Sequence, residues 1–465
     1  MPFFGKKMGN SSAKSLLVVK IKSGDIKYLP DDTTINFIIH GEKGQSNVIP
    51  FERIGQFRPD DDGFMRFTIN TVQVESSVRF FEFWAQADGH TKLEWFIEKI
   101  DLNDRKDRNL FSFPVGRWLI PGFHYVITNF EGMLPQYSEC FEVREAELAL
   151  LRELYNLERY HDKLPPRIEA IPDFERFTDS LIDEFSQLKY EMLDSAPYLQ
   201  IVADDSSDWS KVEEFEEFYK DEFGVPIPWG VIDWTKDIKF GHQRLCGPNP
   251  IAIQAITELP DKMELSEEKL QPYFEGWRLE HVLSAGRLYV VDLSILHGLT
   301  NNIGYPFPAP VALFYRDSDK NLLPIAIQLF QESGPDNPVY MPNDSSYTWL
   351  LAKMWFNLAD ATYSFAVNYL ARTHFMLEGI AVAFHRSFSP SHPLYKLLVP
   401  HFKDIFTVNK NITSQLLEEG GFIDKYTYLG LSGFKELIKR GIKTWRFDVD
   451  GMLPANMFKK GVSNT

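Results

Sequence analysis

The sequence predicts a multidomain protein, with an N-terminal all-β sandwich over residues 15–122 and a larger, mainly α-helical domain over residues 123–465. A short polar tail, residues 1–14, comes before the sandwich. Apolar residues alternate with polar ones up to about residue 120, and after about residue 140 they recur at helical spacing. The 465 residues correspond to about three domains of ordinary size, so the chain has room for both domains.

The sandwich is predicted from short runs in which every second residue is apolar. Between residues 19 and 22, valine and isoleucine alternate with two lysines, which places the apolar pair on one buried face. Turn signals such as the Pro59–Gly63 cluster and Asp88-Gly89 separate these runs. Several short strands divided by turns are typical of a β-sandwich.

The second domain is predicted from helical periodicity. Leu148, Leu151 and Leu154 recur at three-residue spacing, with glutamates between them. Between residues 347 and 386 the chain has no proline and a single glycine, and apolar residues fall on nearly every helical face. This stretch therefore predicts one long, largely buried helix.

Charge and cysteine content exclude several classes of protein. The chain has 49 Lys+Arg and 65 Asp+Glu, and its net charge of −16 argues against nucleic-acid binding through phosphate neutralisation. The two cysteines, Cys140 and Cys246, lack zinc-site spacing and predict a reducing, cytoplasmic location. We find neither a secretory signal nor an apolar run long enough to span a membrane, so any membrane association is expected to be peripheral.

Two blocks of sequence resemble a known family. The first, residues 90–97 with residues 110–119, resembles the last strands of a PLAT domain, which is a C2-like β-sandwich. The second block is similar in order and spacing to the catalytic domain of animal lipoxygenases, and its segments are residues 243–250, 286–292, 324–331, 337–338, 349–355, 370–374 and 392–401. Together the blocks cover about residues 15 to 460.

The resemblance implies a chemistry as well as a fold. Lipoxygenases dioxygenate polyunsaturated fatty acids at a non-haem iron, which takes a hydrogen atom from a carbon between two double bonds before oxygen adds. In the family, two histidines five residues apart on the long central helix bind the iron. A third histidine, an Asn or His, and the C-terminal carboxylate complete the shell. Because residues five apart do not face each other on a regular α-helix, that helix must be locally distorted.

This sequence departs from the family at the metal. His374 matches the second histidine of the pair, but Tyr369 stands where the first belongs. A phenolate binds ferric iron, so Tyr369 remains an alternative ligand that would hold the metal oxidised. Ser364 and Phe365 replace a His-Gln pair of the family, so fewer polar side chains remain to orient the ligands of an iron. The sequence also stops where the family continues, so we expect iron to be absent or weakly bound, and no residue is assigned a catalytic role.

The resemblance places six residues near the family's fatty-acid channel, and plain core packing is the equal alternative for them: Phe365, Leu370, Phe375, Val408, Ile412 and Leu416. Ile412 stands where the family has Ala or Gly, and it would fill space through which oxygen reaches the substrate.

The sandwich offers a second candidate site. PLAT loops often bind calcium and place aromatic residues in membranes, and calcium prefers carboxylate oxygens. The candidate ligands are Asp60, Asp61, Asp62 and Asp88. The competing interpretation is a solvated acidic turn.

Three hypotheses about function follow. The first is a catalytically inactive homologue that binds a polyunsaturated fatty acid or a phospholipid membrane surface. The second is a fragment, or an incomplete gene model, of an active lipoxygenase. The third is a chain that is not stable in isolation. Tyr369 favours the first hypothesis, because a lost exon cannot change an internal ligand. The sequence identifies neither a protein partner nor the regiospecificity of the reaction.

Overall fold

The described part of the chain forms two compact units. The first comprises residues 1–158, 168–179 and 378–407, and the second comprises residues 159–167, 180–377 and 408–465. The computed structural model describes residues 15–42, 44–71, 78–86, 92–103, 108–129, 134, 137–158, 164–177, 182, 212 and 231–459. The predicted tail and the candidate calcium ligand Asp88 lie outside these residues. The boundary predicted near residue 122 stays a prediction.

The first unit contains the predicted β-sandwich. One antiparallel sheet has the order β5-β1-β7-β8, and the other has the order β3-β2-β6-β9 with β4 paired to β2. Val19, Ile21, Ile35 and Phe37 are almost completely buried, as the alternating pattern predicts. The strands are β1 Ser15–Tyr28, β2 Thr34–Gly41, β3 Gly44–Gln45, β4 Ile49–Phe51, β5 Phe64–Thr71, β6 Val78–Gln86, β7 Glu94–Asn103, β8 Asn109–Trp118 and β9 Tyr125–Thr128.

Helix α1, Phe141–Leu154, belongs to the same unit as the sandwich. Leu148 and Leu151 are buried, in agreement with their helical spacing. Glu147 is buried too, because Arg117 of β8 donates to it from Nε at 2.7 Å. Short pieces of structure follow: β10 Leu157–Glu158 and β11 Arg167–Ile168.

The second unit combines helices with a sheet that the sequence analysis did not predict. Its five strands pair antiparallel in the order β12-β13-β14-β15-β16. The strands are β12 Ile253–Ala255, β13 Leu288–Asp292, β14 Val311–Arg316, β15 Leu322–Gln328 and β16 Val339–Tyr340. The preceding and intervening helices are α2 Asp237–Cys246, α3 Glu267–Leu270 and α4 Leu279–Ser284.

The predicted long helix is present, and it changes geometry along its length. It runs as α5, Ser346–Tyr363, then as a π-helix, Ser364–Phe375, and then as α6, Met376–Ser387. Later helices are α7 Pro393–Leu398, α8 Ile405–Gln415, α9 Phe422–Tyr426, α10 Gly430–Lys443 and α11 Leu453–Lys459. Within the described residues, no helix is both long and apolar enough to cross a membrane.

Gly241 and Gly379 differ in how closely other atoms approach their Cα atoms. At Gly241 in α2, an added Cβ would overlap the backbone oxygen of Leu322 in β15, so only glycine permits this close approach. At Gly379 in α6, nothing lies within contact distance of an added Cβ.

We predict opposite effects for alanine at these two positions. Gly241→Ala should lower the unfolding free energy by about 1–3 kcal/mol, because the methyl group forces α2 away from β15. Gly379→Ala should raise it by about 0.4–1 kcal/mol, because alanine restricts the unfolded chain. Calorimetric unfolding of both variants measures the difference, and equal midpoints would contradict the prediction.

Candidate functional site

The candidate site lies on the π-helix. A π-helix forms its hydrogen bonds between residues five apart, so residues i and i+5 share a face. Tyr369 and His374 are five apart, and their ring centroids lie 4.4 Å from each other at an interplanar angle of 67°. The structure therefore brings together the two positions that the sequence singled out, through the helix distortion that was expected. Tyr369 is 45% exposed.

The ring of His374 is oriented by Asn409 of α8. The side-chain nitrogen of Asn409 donates to the backbone oxygen of His374 at 3.1 Å, so its Oδ1 is left to accept. That Oδ1 lies 2.7 Å from His374 Nδ1, which must therefore carry the proton. Burial lowers the pKa of His374, and the hydrogen bond to Asn409 offsets part of this effect. This arrangement favours the neutral form of His374, with the proton on Nδ1 and the lone pair on Nε2.

Sequence reasoning missed Asn409, although a signal for it exists. Asn409 is completely buried on α8, next to a stripe of apolar residues at four-residue spacing that is formed by Val408, Ile412 and, one residue past the end of the helix, Leu416. A lone amide beside such a stripe indicates a buried hydrogen-bond partner elsewhere, because unpaired amides are costly in a core.

A chain of polar side chains ties the π-helix to α2 and α5, and we call it the polar strap: Arg244, Asp360, Asn249, Asn368 and Arg372. Arg244 Nη1 lies 2.8 Å from Asp360 Oδ2. Asn249 donates to Asp360 Oδ1 at 2.8 Å and accepts from Asn368 at 2.9 Å. Arg372 donates to Asn368 at 3.0 Å. The strap therefore reaches the π-helix one residue before Tyr369.

Burial dominates the electrostatics of the strap. Arg244, Asn249 and Asp360 are each 3% exposed. Burial raises the pKa of Asp360, and the nearby Arg244 guanidinium and the Asn249 hydrogen bond oppose this rise. The two charged side chains thus depend on each other to remain in the core.

The six candidate channel residues all join the main hydrophobic cluster of the second unit. Leu370, Phe375 and Ile412 are buried members of it, while Phe365, Val408 and Leu416 pack against it partly buried. Phe365 also stacks on Tyr369, with ring centroids 5.7 Å apart. The structure brings these residues into one cluster, and their assignment to a fatty-acid channel stays a prediction beside the alternative of plain core packing.

The donors around His374 do not fit the family's iron centre on their own. In the stretches of chain described above, no group of three or more His, Cys, Asp or Glu side chains could hold a metal ion. A redox iron needs several fixed ligands, and this site supplies one imidazole and one phenol. Ser364, which stands where the family has a histidine, donates its hydroxyl to the Pro248 carbonyl at 2.8 Å.

The acidic turn of the sandwich is already occupied by a cation. Arg66 of β5 forms ion pairs with Asp60 and Asp62. Asp62 Oδ1 also accepts from the backbone of Phe64 at 3.3 Å. Calcium would have to displace Arg66 to use these carboxylates, so calcium binding by this turn stays a prediction.

We predict that His374 stays neutral when the pH falls below about 6.5, which is the pKa of an ordinary histidine. Nitrogen-detected NMR should show the Nδ1-protonated tautomer, and Asn409→Leu should lower the pKa further because it removes the stabilising hydrogen bond. As the pH falls, His374 becomes protonated in the unfolded chain before it does so in the folded chain, because folding lowers its pKa. The contribution of His374 to stability is therefore complete above about pH 6.5 and declines below it. A ring that titrates at or above the ordinary value would contradict the assignment.

The polar strap makes a second prediction. Asp360→Ala should destabilise the protein by about 3–5 kcal/mol, because it leaves Arg244 buried without its partner. Asp360→Asn should cost clearly less, since its amide oxygen still accepts from Asn249. Denaturant unfolding of the two variants provides the comparison, and equal losses would contradict the prediction, because they would show that the hydrogen bond from Asn249 contributes nothing and that the lost charge accounts for the whole effect.

The family model and the similar proteins described next are all lipoxygenases. The lipoxygenase family model matches residues 142–465. The chain is 25% identical over 480 residues to the allene oxide synthase-lipoxygenase protein of Plexaura homomalla, covering 96% of this chain and 44% of that protein. It is 33% identical over 271 residues to arachidonate 12-lipoxygenase, 12R-type, of Mus musculus, covering 57% of this chain and 38% of that protein.

The fold agrees with these sequence matches. The crystal structure of coral 8R-lipoxygenase superposes with a TM-score of 0.82 at 27% identity, over 96% of this chain and 68% of that one. The chain thus spans less than half the length of the two curated relatives named above. The sandwich followed by a mainly helical domain is confirmed as the fold. With a family model that matches well over half of its residues, the chain belongs to the lipoxygenase family.

Proposed function

We propose that this chain is a lipoxygenase-family protein that binds a polyunsaturated fatty acid or a phospholipid membrane surface without the iron-dependent dioxygenation of its family. The observation that carries the proposal is the phenol of Tyr369 against His374 on the π-helix. The helical geometry that aligns two ligands is retained, and only one of the two side chains is an imidazole.

The chemical difference between the two side chains favours loss of iron. A neutral imidazole offers a nitrogen lone pair without giving up a proton, whereas a phenol must lose its proton to become a strong ligand. Ferrous iron with a single imidazole would be held weakly. The rigid support from Asn409 and the polar strap cannot make up for a donor that is absent.

Lipid binding is supported by the neighbours of the site and by the relatives. The six candidate channel residues belong to, or pack against, one connected apolar cluster, and Phe365 of this set stacks on Tyr369. The mouse relative is named an arachidonate lipoxygenase. As part of the proposal, the ligand of this chain is a polyunsaturated fatty acid too. For coral 8R-lipoxygenase, calcium activation via a C2-like domain is described, so a calcium-dependent contact of the sandwich with membranes belongs to the proposal too. A cytoplasmic location with peripheral membrane association is part of the proposal.

An active fatty-acid lipoxygenase, of which this chain is a fragment, is the second candidate. One observation favours it: the hydrogen bond of His374 leaves Nε2 free of the proton, as a metal ligand requires. Stoichiometric iron in the purified chain would favour this second candidate.

The proposal predicts substoichiometric iron in the purified chain after anaerobic incubation with ferrous salt, and no conjugated diene from arachidonate or linoleate. Arachidonate should still bind, as calorimetry can show. Tyr369→His should retain more iron than the wild type, because it restores the second imidazole. Tyr369→Phe is the matched control and should equal the wild type, whereas a fall in iron would reveal a phenolate ligand.

Stoichiometric iron together with diene formation by the wild-type chain would refute the proposal and support the second candidate. Failure to bind either arachidonate or phospholipid vesicles would refute its lipid-binding half.

A further inference from the structure

A separate apolar surface lies in the second unit, on the loop at residues 301–305 and on helix α9. Its exposed side chains, which we call the aromatic rim, are Ile303 at 76%, Tyr305 at 61%, Phe422 at 44% and Tyr426 at 58% exposure. The rings of Phe422 and Tyr426 lie 5.3 Å apart. Single exposed apolar residues are ordinary, but a group of them on adjoining segments indicates an interaction surface.

The two segments that carry the rim are fixed to each other. Asn302 donates to Asp424 of α9 at 3.3 Å, and the rings of Phe307 and Tyr428 lie 5.9 Å apart. Gly430, at the start of α10, has a φ of +70°, and a Cβ there would overlap the side chain of Asn302. Glycine at this position therefore lets the loop lie directly on the helix start.

A shallow, open cavity of about 490 Å³ lies beside the rim, and its lining residues are Asn302, Glu419, Asp424, Leu431, Ser432 and Lys435. Its charges have both signs. Glu419 and Asp424 contribute carboxylates, and Asp424 is held in place by the backbone N–H of Gly420 at 2.9 Å. Lys435 and the first turn of α10 contribute positive charge, because the first N–H groups of a helix carry a partial positive charge. Such a cavity is complementary to a zwitterion.

The net charge of the chain disfavours some binding partners for the rim and the cavity. At a net charge of −16, the chain is repelled by anionic membranes and by acidic proteins. A zwitterionic phospholipid has no net charge, and its headgroup carries one ammonium and one phosphate. Aromatic side chains prefer the interface between headgroups and acyl chains. The rim and the cavity together therefore match a zwitterionic lipid surface.

We propose that this surface docks on zwitterionic phospholipid membranes, with a phosphocholine headgroup in the cavity and the aromatic rim in the interface. The surface is separate from the acidic turn of the sandwich and from the Tyr369–His374 pair. The inference rests on the membrane-binding part of the proposed function and names a surface for it. Failure of this surface to bind would leave arachidonate binding, calcium-dependent membrane binding by the sandwich and the proposed loss of iron chemistry untouched.

Sedimentation of the full chain with phosphatidylcholine vesicles tests the proposal. The buffer contains EGTA, so calcium-dependent binding through Asp60 and Asp62 cannot contribute. We expect the wild type to bind and the Ile303→Asp/Tyr305→Asp variant to bind at least about tenfold more weakly, because it can no longer bury these side chains. Glu419→Gln and Lys435→Gln should each weaken binding by a smaller factor.

Tyr347→Ser is the matched control, because Tyr347 is 74% exposed on α5 and lies outside the rim. It should bind as the wild type does, and circular dichroism should show that every variant is folded. Three results would overturn the proposal: no binding to phosphatidylcholine in EGTA, equal binding by the Ile303→Asp/Tyr305→Asp variant, or binding to phosphatidylserine vesicles alone. A wild-type dimer in light scattering that this variant abolishes would also overturn it, in favour of a second copy of the chain.

Discussion

The hydrogen-bond register of the π-helix is the constraint on which the candidate site depends. In a regular α-helix, side chains five residues apart point in different directions. The wider turn of Ser364–Phe375 places Tyr369 against His374 instead. The chain thus keeps a costly backbone geometry that suits two ligands of one ion, while it carries a single histidine there.

Two kinds of interaction hold this geometry in place. On one side, the polar strap anchors the π-helix to α2 and α5 through the buried pair of Arg244 and Asp360. On another, Asn409 of α8 fixes both the ring and the backbone of His374. Because Arg244, Asp360 and Asn409 are buried and each has a polar partner, substitution of any one of the three leaves that partner unsatisfied, which is the more expensive outcome in a core. The position of Tyr369 is therefore a stable feature of the fold.

The sequence predicted the parts of this protein whose signals are local. The strand around Val19 shows its alternation because one face of the sheet is buried and the other is wet. Strands β14 and β15 are buried on both faces, so their residues are apolar almost without interruption and the five-stranded sheet was missed. Tyr369 and His374 were found because a resemblance singled them out. Asn409 and Asn249 were missed because their partners are distant in the chain, such as Asp360, which is 111 residues from Asn249.

We propose that the phenol of Tyr369, in place of one imidazole, removes the redox chemistry and leaves a lipid-binding fold. Oxygen uptake by the chain, after incubation with ferrous iron and addition of arachidonate, measures this most directly. We expect no uptake above that of free iron, with arachidonate bound and recovered unchanged. Sustained uptake with release of a fatty-acid hydroperoxide would contradict it.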